Sequence, residues 1–144
     1  MGVLPGCNSA TVNGINNLGE IIGQATSATY AEAAGPMRPF VWQNHRLTEL
    51  KQPEGSTSSS PFGLNDHGEI VGVAGNGVGS DGAMVAVLWR RGQVYDLNSL
   101  IPSDAGWTLI SAHAVNSQGQ IAGQGLHDGQ KRAFLLTPLQ SPQP

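Results

Sequence analysis

Apolar and polar residues follow one another along this chain in a pattern that returns three times. Each copy reads Asn-x-x-Gly-polar-Ile-apolar-Gly, with an apolar residue immediately before the Asn. The starting Asn residues lie 49 and 51 residues apart. A fixed period of this length is typical of repeat architectures rather than of one irregular core. The three copies are residues 16–23, 65–72 and 116–123.

Each copy predicts two strands joined by a four-residue turn. The Asn side chain can hydrogen-bond to the backbone two residues on, and the Gly at the fourth position supplies the positive φ that a type I turn with a bulge needs. The apolar pairs that follow, such as Ile21-Ile22 and Ile70-Val71, point to both faces, which predicts strands buried on both sides. The Gly that closes each copy marks a bulge or a close backbone approach.

A second hairpin follows in the first two units. Residues 38–50 predict an aromatic strand, a turn and a return strand, and residues 84–97 repeat this order, so that Trp42 corresponds to Trp89. In the third unit residues 132–136 predict a third strand, but no fourth strand follows. Four short antiparallel strands per repeat are the sequence signature of a propeller blade.

We therefore predict an all-β fold with three four-stranded, propeller-like blades in one repeat domain, residues 1–139, and a disordered tail, residues 140–144. The blades span about residues 9–50, 60–97 and 109–137, and residues 2–5 of the same or a partner chain complete the third blade. An open β-solenoid or sandwich is the alternative fold.

Three blades cannot close a ring, because propellers use typically four to eight. We expect two chains to pair as a six-bladed homodimer through strand exchange, in which the spare strand Val3-Leu4 of one chain completes the third blade of the other. This arrangement would cover an open sheet edge and bury the exposed blade ends by two-fold symmetry.

Composition narrows the classes of function. The chain has 144 residues, a formal net charge of −3 and only 12% charged residues, against roughly 25% in ordinary globular proteins. We expect no nucleic-acid partner, because no basic stripe is present to neutralise phosphates. We also expect no membrane span, because the longest apolar run, residues 83–89, is far too short to cross a bilayer.

The chain contains a single Cys, Cys7. It cannot form a disulfide within the chain, so it is either a free thiol or an intermolecular link. Residues 4–7 resemble a bacterial lipobox, in which the Cys would be lipidated, but neither a basic region nor an apolar segment precedes them and the chain shows no signal peptide. The repeat instead favours the spare-strand interpretation of this segment.

The candidate binding residues lie where the repeats differ. In a blade the hairpin turns after strands one and three share one face, and the loops after strands two and four share the other. Here the turns are constant while the loops vary in length and composition, and variable loops are where function usually lies. We expect a ligand-binding site among the variable-loop residues Tyr30, Asp81, Asp104, Trp107, His127 and Asp128.

The residues offer little chemistry for catalysis. The four His residues lack metal-ligand spacing, residues 65–69 lack the ligands of a calcium loop, and no carboxylates are paired at related positions. Residues 75–79 are Gly-rich, but no helix follows them to hold a phosphate. We expect no catalytic residues, no metal and no cofactor. His113, on a first strand, is the one His that could face a central channel.

The pattern Ile-Asn-x-x-Gly-x-Ile-Val-Gly, followed by an aromatic strand that ends in Trp, resembles the HAF repeats of bacterial extracellular repeat proteins. The resemblance covers residues 10–138, and the tripeptide that names the family is approximated at residues 38–40 and 132–134. It implies propeller-like blades and an extracellular or periplasmic location, and it offers no catalytic residues.

Three hypotheses for function follow. The first is a non-catalytic binding or adhesion module that uses the variable-loop face, with carbohydrate as one candidate ligand. The second is a purely structural or assembly repeat module. The third is a hydrolase whose site lies in the central channel and includes His113.

Overall fold

In a computed structural model of the protein, residues 2–26, 36–75 and 84–139 are described. This part of the chain is all-β, with eleven strands and one short 3₁₀ helix, Leu97–Leu100. It contains no helix with the length and hydrophobicity needed to cross a bilayer. The strands are β1 Ser9–Ile15, β2 Ile21–Thr26, β3 Arg38–Gln43, β4 Arg46–Glu49, β5 Ser58–Leu64, β6 Ile70–Gly75, β7 Val85–Arg90, β8 Gln93–Asp96, β9 Trp107–Val115, β10 Ile121–His127 and β11 Gln130–Leu136.

The strands form three antiparallel sheets, each built from consecutive strands. Sheet 1 has the order β1-β2-β3-β4, sheet 2 the order β5-β6-β7-β8, and sheet 3 contains β9, β10 and β11 with β10 in the centre. The sheets do not close into a barrel. The all-β prediction is confirmed, and each predicted unit forms one sheet.

The repeated turn forms as its sequence predicts. The Asn65 side-chain oxygen accepts hydrogen bonds from the backbone N–H groups of His67 and Glu69, both at 3.0 Å. Gly68 has a φ of 79°, in the left-handed region that Gly adopts without strain. Asn16 and Asn116 make the corresponding bonds in their own turns. We call the end of the molecule that carries these three turns the turn side, and the opposite end the loop side.

The same Asn side chains also link the sheets. The Asn16 amide nitrogen donates to the backbone oxygen of Asn65 at 3.0 Å, and the Asn65 amide donates to the backbone oxygen of Asn116 at 2.9 Å. We call this chain of bonds the Asn ladder. It holds the three turns in line, because one side chain both shapes its own turn and binds the next.

Apolar side chains fill the spaces between the sheets. Between sheets 1 and 2 lie Ile22 and Val41 from one side and Val87 and Trp89 from the other. Between sheets 2 and 3 a second cluster contains the residues Val71, Ala86, Leu88, Leu97, Leu109, Ala112, Ile121 and Phe134. Burial of these side chains is the main force that holds the sheets together.

The Gly that closes each repeat permits a close approach within its sheet. A side chain on Gly72 would overlap the backbone oxygen of Ser60 on the neighbouring strand, and the first strand is bulged beside it, between Pro61 and Gly63. Gly23 and Gly123 make equivalent contacts. Both features expected of this Gly, a bulge and a close approach, are present.

The segment that precedes β1 differs from the spare strand that the sequence suggested. Residues 2–8 form no strand, sheet 3 has three strands within the described residues, and Leu4 is buried against Ala25 and Phe40 of sheet 1 in its own chain. Completion of the third sheet by residues 2–5 of the same chain is therefore wrong. Exchange of this segment between two chains stays a prediction.

The conformation of residues 2–8 matches that of the connector between sheets 1 and 2, residues 51–57. The N–H of Cys7 bonds to the oxygen of Leu4 at 3.0 Å, as the N–H of Ser56 does to Pro53 at 3.0 Å. The next residue, Asn8 or Thr57, bonds to the end of the second strand in both sheets. Completion by the same chain was wrongly predicted because an apolar residue before a unit fits a connector as well as a strand.

Candidate functional site

Three of the predicted site residues lie together at the loop-side end of sheet 3. Trp107 begins β9, His127 ends β10 directly opposite it, and their ring centroids are 4.6 Å apart. The His127 imidazole lies 3.8 Å from the carboxylate of Asp128, and both side chains are exposed to solvent. We call Trp107, His127 and Asp128 the Trp107 cluster. It presents an aromatic ring, an imidazole and a carboxylate on one small surface.

Local backbone geometry explains why these side chains meet. Asp128 and Gly129 form the two-residue turn between β10 and β11, both with positive φ, and an Asp-Gly pair suits this kind of turn. The backbone N–H of Asp128 donates to the oxygen of Gly106 at 3.0 Å. Gly106 has a φ of 79°, in the left-handed region that favours Gly, and it lies close to the Asp128 carboxylate.

The aromatic ring of Trp107 is partly committed to the core. It makes an edge contact with Phe134, at a centroid distance of 6.3 Å, and it is half-buried. A shallow cavity of about 160 Å³ lies beside it, lined by Ile101, Pro102 and other apolar residues. This volume is below the range of enclosed ligand pockets, about 300–1,000 Å³, so a ligand at this end would bind on the surface.

The other three predicted site residues, Asp104, Tyr30 and Asp81, do not belong to this cluster. Asp104 is exposed in the loop before β9, two residues from Gly106, and its side chain forms no hydrogen bond or ion pair with the described residues. Tyr30 and Asp81 lie outside the described residues. The structure therefore brings together three of the six candidates and places a fourth in the adjoining loop.

His113 lies on β9, the first strand of sheet 3. Its ring stacks on Phe62 of sheet 2 with a centroid distance of 5.2 Å, and its Nε2 is 2.9 Å from the hydroxyl of Ser111. A Ser–His pair is one part of a nucleophilic site, which also needs a group that orients the imidazole. In the described part of the chain no carboxylate bonds to His113, so this pair lacks that group.

Two larger grooves lie between neighbouring sheets, where sequence reasoning predicted no site. The groove between sheets 1 and 2 encloses about 480 Å³, and the groove between sheets 2 and 3 about 490 Å³. Both include residues of the repeated turns, and Arg90 lines both. The first is the more highly charged, with Glu20, Glu49, Lys51, His67, Arg90 and Arg91 around an apolar floor. Glu20 and Glu69 occupy the same position in two copies of the repeat, and each lines one groove, so this equivalence is the sequence feature that could have indicated a pair of grooves.

No cluster of three or more His, Cys, Asp or Glu residues with the geometry of a metal site occurs within residues 2–26, 36–75 and 84–139. The Trp107 cluster contributes two such side chains, His127 and Asp128. The cluster offers one aromatic ring and two side chains that can form hydrogen bonds.

The chain matches no protein-family model, no curated protein and no solved structure. The resemblance to the HAF repeats, and the extracellular or periplasmic location that it implies, therefore remain hypotheses. Function has to be argued from the surface itself.

Proposed function

We propose that this protein is a non-catalytic binding module whose ligand, a carbohydrate, contacts the Trp107 cluster. The observation that carries the proposal is the 4.6 Å contact between Trp107 and His127, beside the exposed carboxylate of Asp128. At the position of Trp107 the other two units carry Asn8 and Thr57, so the repeat architecture does not require Trp107.

The chemistry of the cluster suits a sugar. A sugar ring offers C–H groups on its faces, which pack against aromatic side chains, and hydroxyl groups around its rim. An ionised carboxylate accepts hydrogen bonds, while a neutral imidazole both donates and accepts one. Trp107 would supply the stacking surface, and His127 and Asp128 would select the hydroxyl positions. The open, shallow shape suits the end or the side of a glycan chain rather than an enclosed small molecule.

A glycan array followed by calorimetry tests this proposal. We expect at least one glycan to bind, and Trp107→Ala to raise its Kd by about tenfold or more, because an aromatic contact and its buried area are lost together. Asp128→Asn should weaken binding less, because Asn keeps the shape and tolerates the same backbone conformation.

Trp42→Ala is the matched control for this experiment. Trp42 is also half-buried and also contacts a His, His45, at a centroid distance of 5.7 Å, but it lies at the turn side of sheet 1. Its substitution should leave the Kd unchanged. Absence of binding across the array, or equal effects of Trp107→Ala and Trp42→Ala, would contradict the proposal.

The second candidate is an assembly function, in which two chains form a six-bladed, propeller-like homodimer. Support comes from the packing of the first strands, because β5 contacts both β1 and β9, as the first strands of neighbouring blades would in a ring. It comes also from the two unequal ends of the array, sheets 1 and 3, each of which has a neighbouring sheet on one face only. Light scattering behind a sizing column should give twice the chain mass of 15.0 kDa. A mass of one chain would refute the dimer.

A further inference from the structure

The outer face of sheet 3 exposes apolar side chains at positions that are buried in the other two sheets. Val41, Leu88 and Leu135 occupy the same register position, opposite Ile22, Val71 and Ala122 respectively. Val41 and Leu88 are each 7% exposed, because the following sheet covers them, whereas Leu135 is 64% exposed. The face of sheet 3 thus has the form of a sheet–sheet interface without the sheet that would cover it.

Sheet 1 shows the complementary exposure on its own outer face. Val12, Gly23 and Phe40 lie opposite one another across three strands and so share this face. Val12 is 55% exposed, although its counterparts Pro61 and Ala112 are buried by the preceding sheet. Ile15 is exposed on the same face, whereas its counterpart Leu64 packs between sheets 1 and 2.

The Asn ladder stops with one free group at each end. The backbone oxygens of Asn65 and Asn116 each accept the N–H of their own turn and an amide N–H from the preceding ladder residue. The oxygen of Asn16 accepts only from Gly19 among the described residues. The Asn116 amide nitrogen donates only to the side chain of Gln120 in the same part of the chain. The Asn116 amide can therefore donate one more hydrogen bond, beside the exposed face of sheet 3, and the Asn16 oxygen can accept one more, beside the exposed face of sheet 1.

The segment before β1 leaves room for another sheet. Residues 2–8 adopt the conformation of connector residues 51–57, so they lie against sheet 1 as that connector lies against sheet 2. The connector does not prevent sheet 2 from packing on sheet 1, and residues 2–8 should likewise not prevent another sheet from packing on the outer face of sheet 1. Gln124 on the face of sheet 3 matches Gln24, which bonds to Asn13 beside the interface of sheets 1 and 2. A Gln at this position is therefore compatible with such an interface.

We propose that the outer face of sheet 3 binds the outer face of sheet 1 from a second copy of this chain, as sheet 1 binds sheet 2. Leu135 and Ala122 pack on the second copy's sheet 1, near its Val12 and Ile15, and the Asn116 amide donates to the second copy's Asn16 oxygen. This inference rests on the assembly function proposed above and names its interface. It needs no exchange of residues 2–5, since whole faces meet.

Leu135→Asp tests the interface directly. Leu135 is already solvent-exposed in the single chain, so the substitution should leave its fold intact, as circular dichroism and thermal melting can show. In the complex it would bury an unpaired carboxylate and raise the dissociation constant by about a hundredfold. The matched control is Leu100→Asp, since Leu100 is 56% exposed in the 3₁₀ helix that connects sheets 2 and 3, outside both faces of the proposed interface. Asn116→Asp keeps the acceptor that shapes the turn and removes the ladder donor, so we expect a smaller weakening, about fivefold.

Light scattering over a dilution series separates the outcomes. A wild-type dimer that Leu135→Asp dissociates and Leu100→Asp preserves supports both the interface and the six-sheet ring. A larger wild-type assembly that Leu135→Asp dissociates supports the interface and refutes the closed ring. A dimer that survives Leu135→Asp overturns the interface while keeping the dimer. A wild-type chain that stays monomeric at its highest soluble concentration overturns both.

Discussion

Sheets 2 and 3 contain the same repeated pattern, yet equivalent residues in them have different surroundings. Leu88 in sheet 2 is 7% exposed, while Leu135 at the same register position in sheet 3 is 64% exposed. Sheet 2 has a neighbour on both faces, and sheet 3 has a neighbour on one. The motif therefore determines the shape of each sheet, whereas the burial of its side chains depends on which sheets lie beside it.

The largest expected effect on stability comes from a contact within a single sheet, which does not depend on which sheets lie beside it. Gly72→Ala would place a methyl group against the backbone oxygen of Ser60 and should lower the free energy of unfolding by about 3 kcal/mol. Gly23→Ala and Gly123→Ala should be similarly costly, because each contact lies within its own sheet. Urea unfolding of the three variants measures this.

Gly68→Ala is the control for that comparison. Gly68 has a positive φ but nothing within 4 Å of an added Cβ, so the substitution should cost only about 1 kcal/mol of backbone strain. If Gly72→Ala cost no more than Gly68→Ala, the close approach of the strands would not be the reason for this Gly.

The two equivalent Trp residues should differ in a way that sharpens the comparison. Trp89 is 3% exposed and its indole N–H donates to the backbone oxygen of Lys51 at 2.6 Å. Trp89→Phe should therefore lower the free energy of unfolding by about 1–2 kcal/mol. Trp42→Phe should cost less than about 0.5 kcal/mol, since no sheet of the same chain covers that face. Equal losses of unfolding free energy for the two variants would show that coverage by a neighbouring sheet does not cause the difference between Trp89 and Trp42.

A smaller effect should appear in acid. The Arg38 guanidinium, which bonds to Glu49, holds the pKa of Glu49 below its ordinary value of 4.5. Hydrogen bonds from Asn17 lower the pKa of Asp66 below 3.8. A carboxyl with a lowered folded-state pKa stabilises the protein above its ordinary pKa, and this contribution disappears as the pH falls through the folded value.

We therefore expect the free energy of unfolding to decrease as the pH is lowered below about 4.5. The Glu49 part should amount to less than about 1 kcal/mol, because the ion pair is partly solvated. Glu49→Gln should remove its share of the decrease, as chemical unfolding at several pH values would reveal. A decrease of the same size in Glu49→Gln would assign it to other groups.

Much of the fold could be predicted from the sequence because the repeat states it three times. The Asn and Gly of each turn, the apolar pairs after them and the short third sheet all follow from residue types at fixed spacing. The ladder between the sheets could not be predicted in the same way. Whether the Asn65 amide reaches the next turn depends on how the sheets pack, which no single turn encodes.

The candidate site was predictable only in part. The variable loops indicated Trp107, His127 and Asp128, but only the pairing of β9 with β10 shows that two of them lie side by side. The grooves between the sheets were missed because their walls come from two units far apart in sequence. Completion of sheet 3 by residues 2–5 of the same chain was wrongly predicted, because a short apolar segment carries too little pattern to separate a strand from a connector.

The Asn ladder is the central claim, and a matched pair of variants tests it most directly. In a Glu69→Gln background, the turn of sheet 2 has the same Asn–Gln pair as Asn116 and Gln120 in sheet 3. In this background, Asn65→Asp removes an amide donor that binds the next sheet. Asn116→Asp removes an amide donor that has no following sheet to bind within its own chain. Both substitutions keep the acceptor that shapes the turn.

The measurement is the free energy of unfolding of each variant in urea, at dilutions where light scattering finds monomers. We predict that Asn65→Asp costs about 1–2 kcal/mol more than Asn116→Asp, because the Asn116 backbone oxygen loses one of its two donors and faces a carboxylate instead. Equal costs for the two substitutions would contradict the claim that the ladder holds the sheets together.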